Sequence, residues 1–200
     1  MSALCFVPAV LHGSTFVATD TTVLRRKPFS ALSSTAADIL PAVREGVSDA
    51  GAGEEWEKSV SMLVEAVESD VEDAEMLLAT ALNWKGWAVC SPTMRRFMKP
   101  QHPSTEELEK ALEWLRFGPL SMDQDQLSKA VKEHPKLFIS APEATYKKAL
   151  GAAPKEFRDP EDFKALVLND PSAMNCTYNC DEDGCGSECG NCWVSYRNRL

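Results

Sequence analysis

Apolar residues recur at helical spacing through most of the chain. Residues 36–49 place their large apolar side chains on one side of a helix: Ile39, Leu40, Val43 and Val47. This spacing predicts a short amphipathic helix over Ala36–Asp49. No stretch of useful length alternates apolar and polar residues, as a half-buried strand would. The pattern therefore predicts an all-α protein.

Residues 56–83 continue the helical pattern and predict either one long helix or two. The side opposite the apolar stripe, together with the flanking residues, is acidic: Glu54, Glu55, Glu57, Glu65, Glu68, Asp70, Glu72, Asp73 and Glu75. An acidic face of this kind is usually a solvated one. The alternative interpretation is a surface that docks a basic partner.

Residues 104–138 predict two short helices joined by a tight turn. Ser104 and Glu107 have the spacing of a capping box at a helix start. An apolar stripe follows: Leu108, Ala111, Leu112 and Leu115. Gly118 and Pro119 should end this helix, because glycine tolerates a left-handed turn and proline cannot continue the hydrogen-bond ladder.

The second helix of this stretch is predicted to begin at Ser121, where Ser121 and Gln124 repeat the capping-box spacing. His134 should end it, because a residue before a proline is pushed out of helical geometry. Leu137 and Phe138 are expected to pack back between the two helices. Two helices alone cannot bury both apolar stripes, so this unit requires neighbours.

The stretch resembles one repeat of the mTERF (mitochondrial transcription termination factor) family. The residues that carry the resemblance are Leu115-Arg116-Phe117-Gly118, Leu120-Ser121, Leu127, Val131 and Pro135-Lys136-Leu137-Phe138. The resemblance implies short helical hairpins of the kind that this family stacks into a curved solenoid. It also implies binding to organellar nucleic acid, the activity of many members.

The charge of the chain disfavours that activity. The formal net charge is −9, and a protein that follows a phosphate backbone needs a basic face. Arg95, Arg96 and Lys99 form only a small basic cluster. Hydrophobic residues make up 44% of the chain, enough for one domain with a core. No apolar run approaches the roughly 18 residues of a membrane span.

Residues 1–37 have the composition of an organellar targeting presequence. They are rich in Ser and Thr, contain Arg25, Arg26 and Lys27, and have Asp20 as their one acid. Phe16 after small residues is typical of presequences that address complex algal plastids. We expect a plastid protein, in the stroma or associated with the thylakoid, with the mitochondrion second. The alternative is an extended arm that stays attached.

The segment NWKGWAV, residues 83–89, places two tryptophans three residues apart. One interpretation is a helix end whose indoles close the core. The other is an aromatic anchor at a partner interface, where tryptophan is enriched. The predicted partner interface comprises Trp84, Trp87, Arg95, Arg96 and Phe97.

Five cysteines fall within seventeen residues near the C-terminus: Cys176, Cys180, Cys185, Cys189 and Cys192. This density predicts a small irregular loop held by disulfides or a metal. In a reducing stroma or matrix, four thiolates would suit zinc or an iron–sulfur cluster. In an oxidising lumen, two disulfides would leave one thiol over. We expect Trp193 and Tyr196 to cover this loop.

Familiar catalytic constellations do not occur in the sequence. It has no G-x-S-x-G motif, no phosphate-binding glycine loop and no closely spaced histidine pair. Catalysis is therefore not expected.

If the protein lies beside pigments, His102 or His134 would be able to ligate the magnesium of a chlorophyll.

The sequence predicts three parts: residues 1–37, a helical domain over 38–170, and a cysteine-rich tail over 171–200. The first functional hypothesis is a non-catalytic plastid linker or assembly protein on a larger complex, such as a photosystem with its antenna. The second is an mTERF-type nucleic-acid-binding protein. The third is a small metal or redox protein centred on the tail.

Overall fold

A computed structural model describes residues 35–179 and 191–198 of the 200-residue chain. Within these ranges the structure is helical, as predicted, with one isolated bridge between Tyr178 and Cys192. Two short 3-10 helices cover Lys155–Phe157 and Pro171–Asn175. The α-helices in the described ranges are α1 Ala36–Asp49, α2 Gly53–Val67, α3 Val71–Ala81, α4 Trp84–Val89, α5 Pro92–Arg95, α6 Thr105–Phe117, α7 Gln124–Glu133, α8 Pro135–Ile139, α9 Pro142–Gly151, α10 Pro160–Asn169 and α11 Trp193–Arg197.

The first helix has the predicted bounds, Ala36–Asp49. Thr35 precedes it, and both the backbone N–H and the hydroxyl of Thr35 donate to Asp38 Oδ2, at 2.9 and 2.7 Å. The helix thus begins two residues before the predicted start of the helical domain at residue 38.

The region predicted as one helix or two forms two, α2 and α3. The break lies at Glu68, whose φ of 50° is left-handed and ends α2. Side chains of α7 satisfy the last carbonyls of α2: Gln124 Nε2 donates to Ala66 O at 2.9 Å, and Ser128 Oγ donates to Val67 O at 2.7 Å. The end of α2 is therefore fixed by tertiary contacts with α7 as well as by local geometry.

Two carboxylates of the predicted acidic face are not merely solvated. Glu75 is only 6% exposed; the guanidinium of Arg44 pairs with it, and Trp56 Nε1 donates to its Oε1 at 3.3 Å. Glu55 Oε2 accepts from the backbone N–H and the hydroxyl of Thr105, at 3.1 and 3.0 Å. These two acids tie α1 to α3 and α2 to α6.

The helix predicted from Ser104 forms as α6, and Ser104 Oγ accepts from the backbone N–H of Glu107 at 3.3 Å. The helix ends at Gly118, as predicted, but the left-handed conformation expected of the glycine was wrong. Gly118 is extended, with φ of −83° and ψ of −163°, and not left-handed. Glycine is needed there because a Cβ would overlap the carbonyl oxygen of Trp114.

The second helix, α7, begins later than predicted. Its N-cap is Asp123, whose carboxylate accepts from Gln126 N at 2.8 Å while Gln126 Oε1 accepts from Asp123 N at 3.1 Å. Ser121 lies in the preceding turn with a left-handed φ of 46°. The reciprocal bonds of Asp123 and Gln126 therefore decide the start of the helix. His134 ends α7 as predicted, and Phe138 is buried between the helices.

The described part of the predicted tail belongs to the same hydrophobic core as the helices. Ala173, Met174 and Cys176 are fully buried in this core. Trp193, also fully buried, packs edge-on against Phe163 with ring centroids 6.1 Å apart. Trp193 thus belongs to the helical core; that it also covers the cysteine loop stays a prediction, since residues 180–190 lie outside the described residues.

Candidate functional site

Helices α4 and α5 form a tight corner over residues 84–99, hereafter the α4–α5 corner. Its base is Trp84, which is 4% exposed and donates its indole N–H to Gln101 O at 2.8 Å. The rings of Trp84 and Trp87 meet edge to face at a centroid distance of 5.4 Å. Both rings approach Gly46 of α1. The tryptophan pair thus anchors the corner to α1.

Arg95 closes the corner from the other side. Its guanidinium carbon lies 4.5 Å from the ring centroid of Trp87, a cation–π contact. Arg95 Nη2 donates to Ala88 O at 2.6 Å, and Nε donates to Cys90 O at 3.2 Å. Because these carbonyls lie at the C-terminal end of α4, the cation also satisfies that helix end.

Phe97 is the outermost aromatic side chain of the corner and is 67% exposed. The guanidinium carbon of Arg96 lies 4.8 Å from the centroid of its ring. Val89 and Met94 are exposed on the same corner. The described residues expose six large apolar side chains, and three of them fall within these nine positions. This concentration marks the corner as a surface suited to contact.

Within the part of the chain that the structure describes, the corner lies in a basic segment of an acidic protein. Residues 76–105 contain no Asp or Glu, yet they include Lys85, Arg95, Arg96 and Lys99. The remainder of the chain therefore carries all 30 acids. Sequence reasoning found three of the four cations but missed the length of the acid-free interval, which the sequence does contain.

The five residues of the predicted partner interface separate into two groups. Trp84 is a core residue. Arg95 lies over the ring of Trp87 and donates to the carbonyl of Ala88 at the end of α4. Only Arg96 and Phe97 are fully on the surface. The residues that are brought to the surface beside them, Val89 and Met94, were not predicted as interface residues.

Two of the five tail cysteines, Cys176 and Cys192, lie in the described residues, and both are buried. Their segments run side by side: Thr177 N donates to Asn191 O at 3.1 Å, and Trp193 N donates to Tyr178 O at 3.0 Å. Cys180, Cys185 and Cys189 lie outside the described residues. Within residues 35–179 and 191–198, no three His, Cys, Asp or Glu side chains form a group that could hold a metal.

A second site, not predicted from the sequence, is a cleft of about 550 Å³ between α3, α6 and the junction of α8 with α9. The residues that line it range from Ser59 of α2 to Ala144 of α9. The contributing segments are far apart in the chain, so no local pattern could have revealed the cleft.

No family model, no curated protein and no solved structure matches the chain. The resemblance of residues 104–138 to an mTERF repeat therefore stays a prediction. Among the helices of the described ranges, none combines the length and the apolar character needed to cross a membrane.

Proposed function

We propose that this protein acts by binding a protein partner, as a non-catalytic linker or assembly factor of a larger plastid complex. The observation that carries the proposal is the exposed Phe97 beside Arg96, on the acid-free α4–α5 corner of a chain with net charge −9. Exposed aromatic and arginine side chains are the residues that most often anchor protein interfaces.

The corner indicates the chemistry of the partner. Four cations in an acid-free interval attract an acidic surface. Val89, Met94 and Phe97 require apolar groups on the same partner surface, since their burial supplies most of the binding energy. The packed Trp84–Trp87 pair holds the corner on α1, so little ordering should be needed when the partner binds. We infer a partner segment rich in both acidic and apolar residues.

Site-specific photocrosslinking tests the proposal. The full chain with a benzoylphenylalanine at position 97 would be irradiated in an extract of the cells that make it. We expect an adduct of one defined mass, whose crosslinked peptide is rich in Asp, Glu and apolar residues. The charge-reversing variant Arg96→Glu should abolish this adduct.

Two matched controls are available in the chain. Phe117 is 83% exposed on α6 and serves as the second crosslinker position. Lys129→Glu reverses an exposed charge on α7 and controls for Arg96→Glu. Equal crosslinking from positions 97 and 117, or an adduct that survives Arg96→Glu but not Lys129→Glu, would contradict the proposal.

Nucleic acid and anionic membranes are alternative partners that the same cations would attract. Strong nucleic-acid binding involves about 6–10 phosphate contacts and a steep dependence on salt. Fluorescence anisotropy with plastid DNA and RNA across salt concentrations, and sedimentation with anionic vesicles, measure these outcomes. A salt slope of several counterions, or vesicle binding lost in Phe97→Asp, would favour them over a protein partner.

The plastid location and the chemistry of the tail are separate parts of the proposal. Imaging of a fluorescent fusion tests the location, with the mitochondrion as the competing result. Metal analysis and thiol counting on natively purified protein distinguish zinc or an iron–sulfur cluster from two disulfides. Bound metal would favour the third hypothesis, a small metal or redox protein.

A further inference from the structure

The cleft between α3, α6 and the α8–α9 junction has the size of a small-molecule site. Its volume, about 550 Å³, falls within the range of about 300–1,000 Å³ that ligand pockets occupy. Its inner surface is apolar, with Leu78, Leu108 and Ile139. The partly buried indole of Trp114 lies at one end. An apolar interior with an aromatic wall is the usual composition of such sites.

A single buried hydroxyl marks the inner end of the cleft. Ser59 is 1% exposed, lines the cleft, and its Oγ has no hydrogen-bond partner among the described residues. A serine within a helix commonly donates to the carbonyl four residues earlier, and Ser61 of the same helix does so, to Glu57 O at 3.0 Å. A buried hydroxyl without a partner requires an explanation, because nearly all such groups are satisfied in folded proteins.

The ionisable side chains that line the cleft are all exposed and therefore lie on its solvent side: His102, Glu107, Lys110 and Glu143. Lys110 Nζ lies 2.5 Å from Glu106 Oε1, and Lys147 Nζ lies 2.5 Å from Glu143 Oε1. The inner surface therefore offers an apolar environment and one hydroxyl, which selects against a charged ligand. Ser140 Oγ donates to Gln101 Oε1 at 3.3 Å and joins two of the walls.

We propose that this cleft binds a neutral aromatic molecule that carries one hydroxyl, which hydrogen-bonds Ser59 Oγ while its ring packs against Trp114. The site is independent of the α4–α5 corner and of any partner bound there. The ligand class follows from the lining: the ring is selected by Trp114 and the leucines, and the hydroxyl is selected by Ser59.

A pair of probes tests the proposal on the full chain. 2-Naphthol carries the hydroxyl and naphthalene lacks it, so the ratio of their dissociation constants reports the hydrogen bond. We expect 2-naphthol to bind about 5–10-fold more tightly, as one net hydrogen bond allows. Ser59→Ala should reduce this preference to about onefold while naphthalene binding is retained.

Two further variants complete the test. Ala144→Trp places a large side chain at an exposed position of the entrance and should abolish binding of both probes, with the circular dichroism spectrum unchanged. Ser61→Ala removes an exposed hydroxyl of the same helix and should leave both constants unchanged. The proposal is overturned if neither probe binds, if Ser59→Ala keeps the preference, or if Ala144→Trp leaves both affinities intact. A preference that Ser61→Ala removes equally would also overturn it.

Discussion

Gly46 of α1 lies directly against the indole of Trp87 on α4. A Cβ built on Gly46 would come within 2.5 Å of Trp87 Cζ3 and 3.0 Å of Trp84 Cζ3. The missing side chain therefore allows the tryptophan pair to pack on α1. Because Arg95 lies over the ring of Trp87, this packing also sets the position of the α4–α5 corner. The close approach of this helix pair depends on that glycine.

Replacing Gly46 by alanine should destabilise the protein, because the added methyl group overpacks the contact with Trp87 at a cost of about 1–3 kcal/mol. The free energy of unfolding in urea measures this cost. Gly53→Ala is the control, since a Cβ at Gly53 meets nothing within 4 Å. The same Gly46 change in a Trp87→Leu background should cost less, and an equal cost in both backgrounds would show that the indole is not responsible.

We expect substitutions of Arg44 and Glu75 to have strongly non-additive effects on the free energy of unfolding. Arg44→Met should destabilise by about 1–3 kcal/mol, because it leaves the buried Glu75 carboxylate without its cation at a site that solvent reaches from the Arg44 side. The double variant Arg44→Met/Glu75→Met should recover much of that loss, since no unpaired charge remains. Urea unfolding of the four proteins measures the coupling. Strictly additive effects would mean that the pair contributes no more than an exposed one.

We expect protonation of the Asp170 carboxyl to lower the stability of the protein in acid. Burial raises the pKa of Asp170, but hydrogen bonds from Ser172 and Tyr196 and the nearby charge of His134 outweigh it, so the pKa lies below its ordinary 3.8. Tyr196 Oη donates to Asp170 Oδ2 at 2.9 Å. Because the folded-state pKa is the lower one, the contribution is present above the unfolded pKa and is lost as pH falls through the folded pKa.

Urea midpoints measured from about pH 6 down to about pH 3 should therefore fall less steeply in Asp170→Asn than in the parent chain. Asp49→Asn, which changes an exposed carboxyl at the end of α1, is the control variant. If the urea midpoints of the parent and Asp170→Asn fell in parallel with pH, Asp170 would not contribute to the loss of stability in acid.

Trp193 should be as important for stability as the residues of the central helices. It is fully buried, and its ring contacts those of Phe157, Phe163 and Tyr196. Trp193→Ala should cost about 3–5 kcal/mol, the range for a large aromatic residue in a core. Tyr178→Ala, at a residue that is 50% exposed and forms the bridge with Cys192, should cost much less. Similar unfolding midpoints for the two variants would contradict this role.

The helical character of the chain and several helix ends were predictable because their signals are local. The bounds of α1 and the end of α7 at His134 follow from spacing and capping within one or two turns. The start of α7 was misplaced because two overlapping capping signals compete there, and the pattern alone does not rank Ser121 against Asp123.

The amino-acid sequence by itself determined that this protein is built of short helices, because helical periodicity and caps involve residues within a few positions of each other. The tertiary structure decided which residues outside the predicted apolar stripes are buried, because that depends on partners distant in the chain. Glu75 is buried through Arg44, 31 residues away, and Trp193 enters the core beside Phe163, 30 positions earlier. The same packing turned Trp84 inward, left Phe97 exposed, and formed the cleft above Ser59.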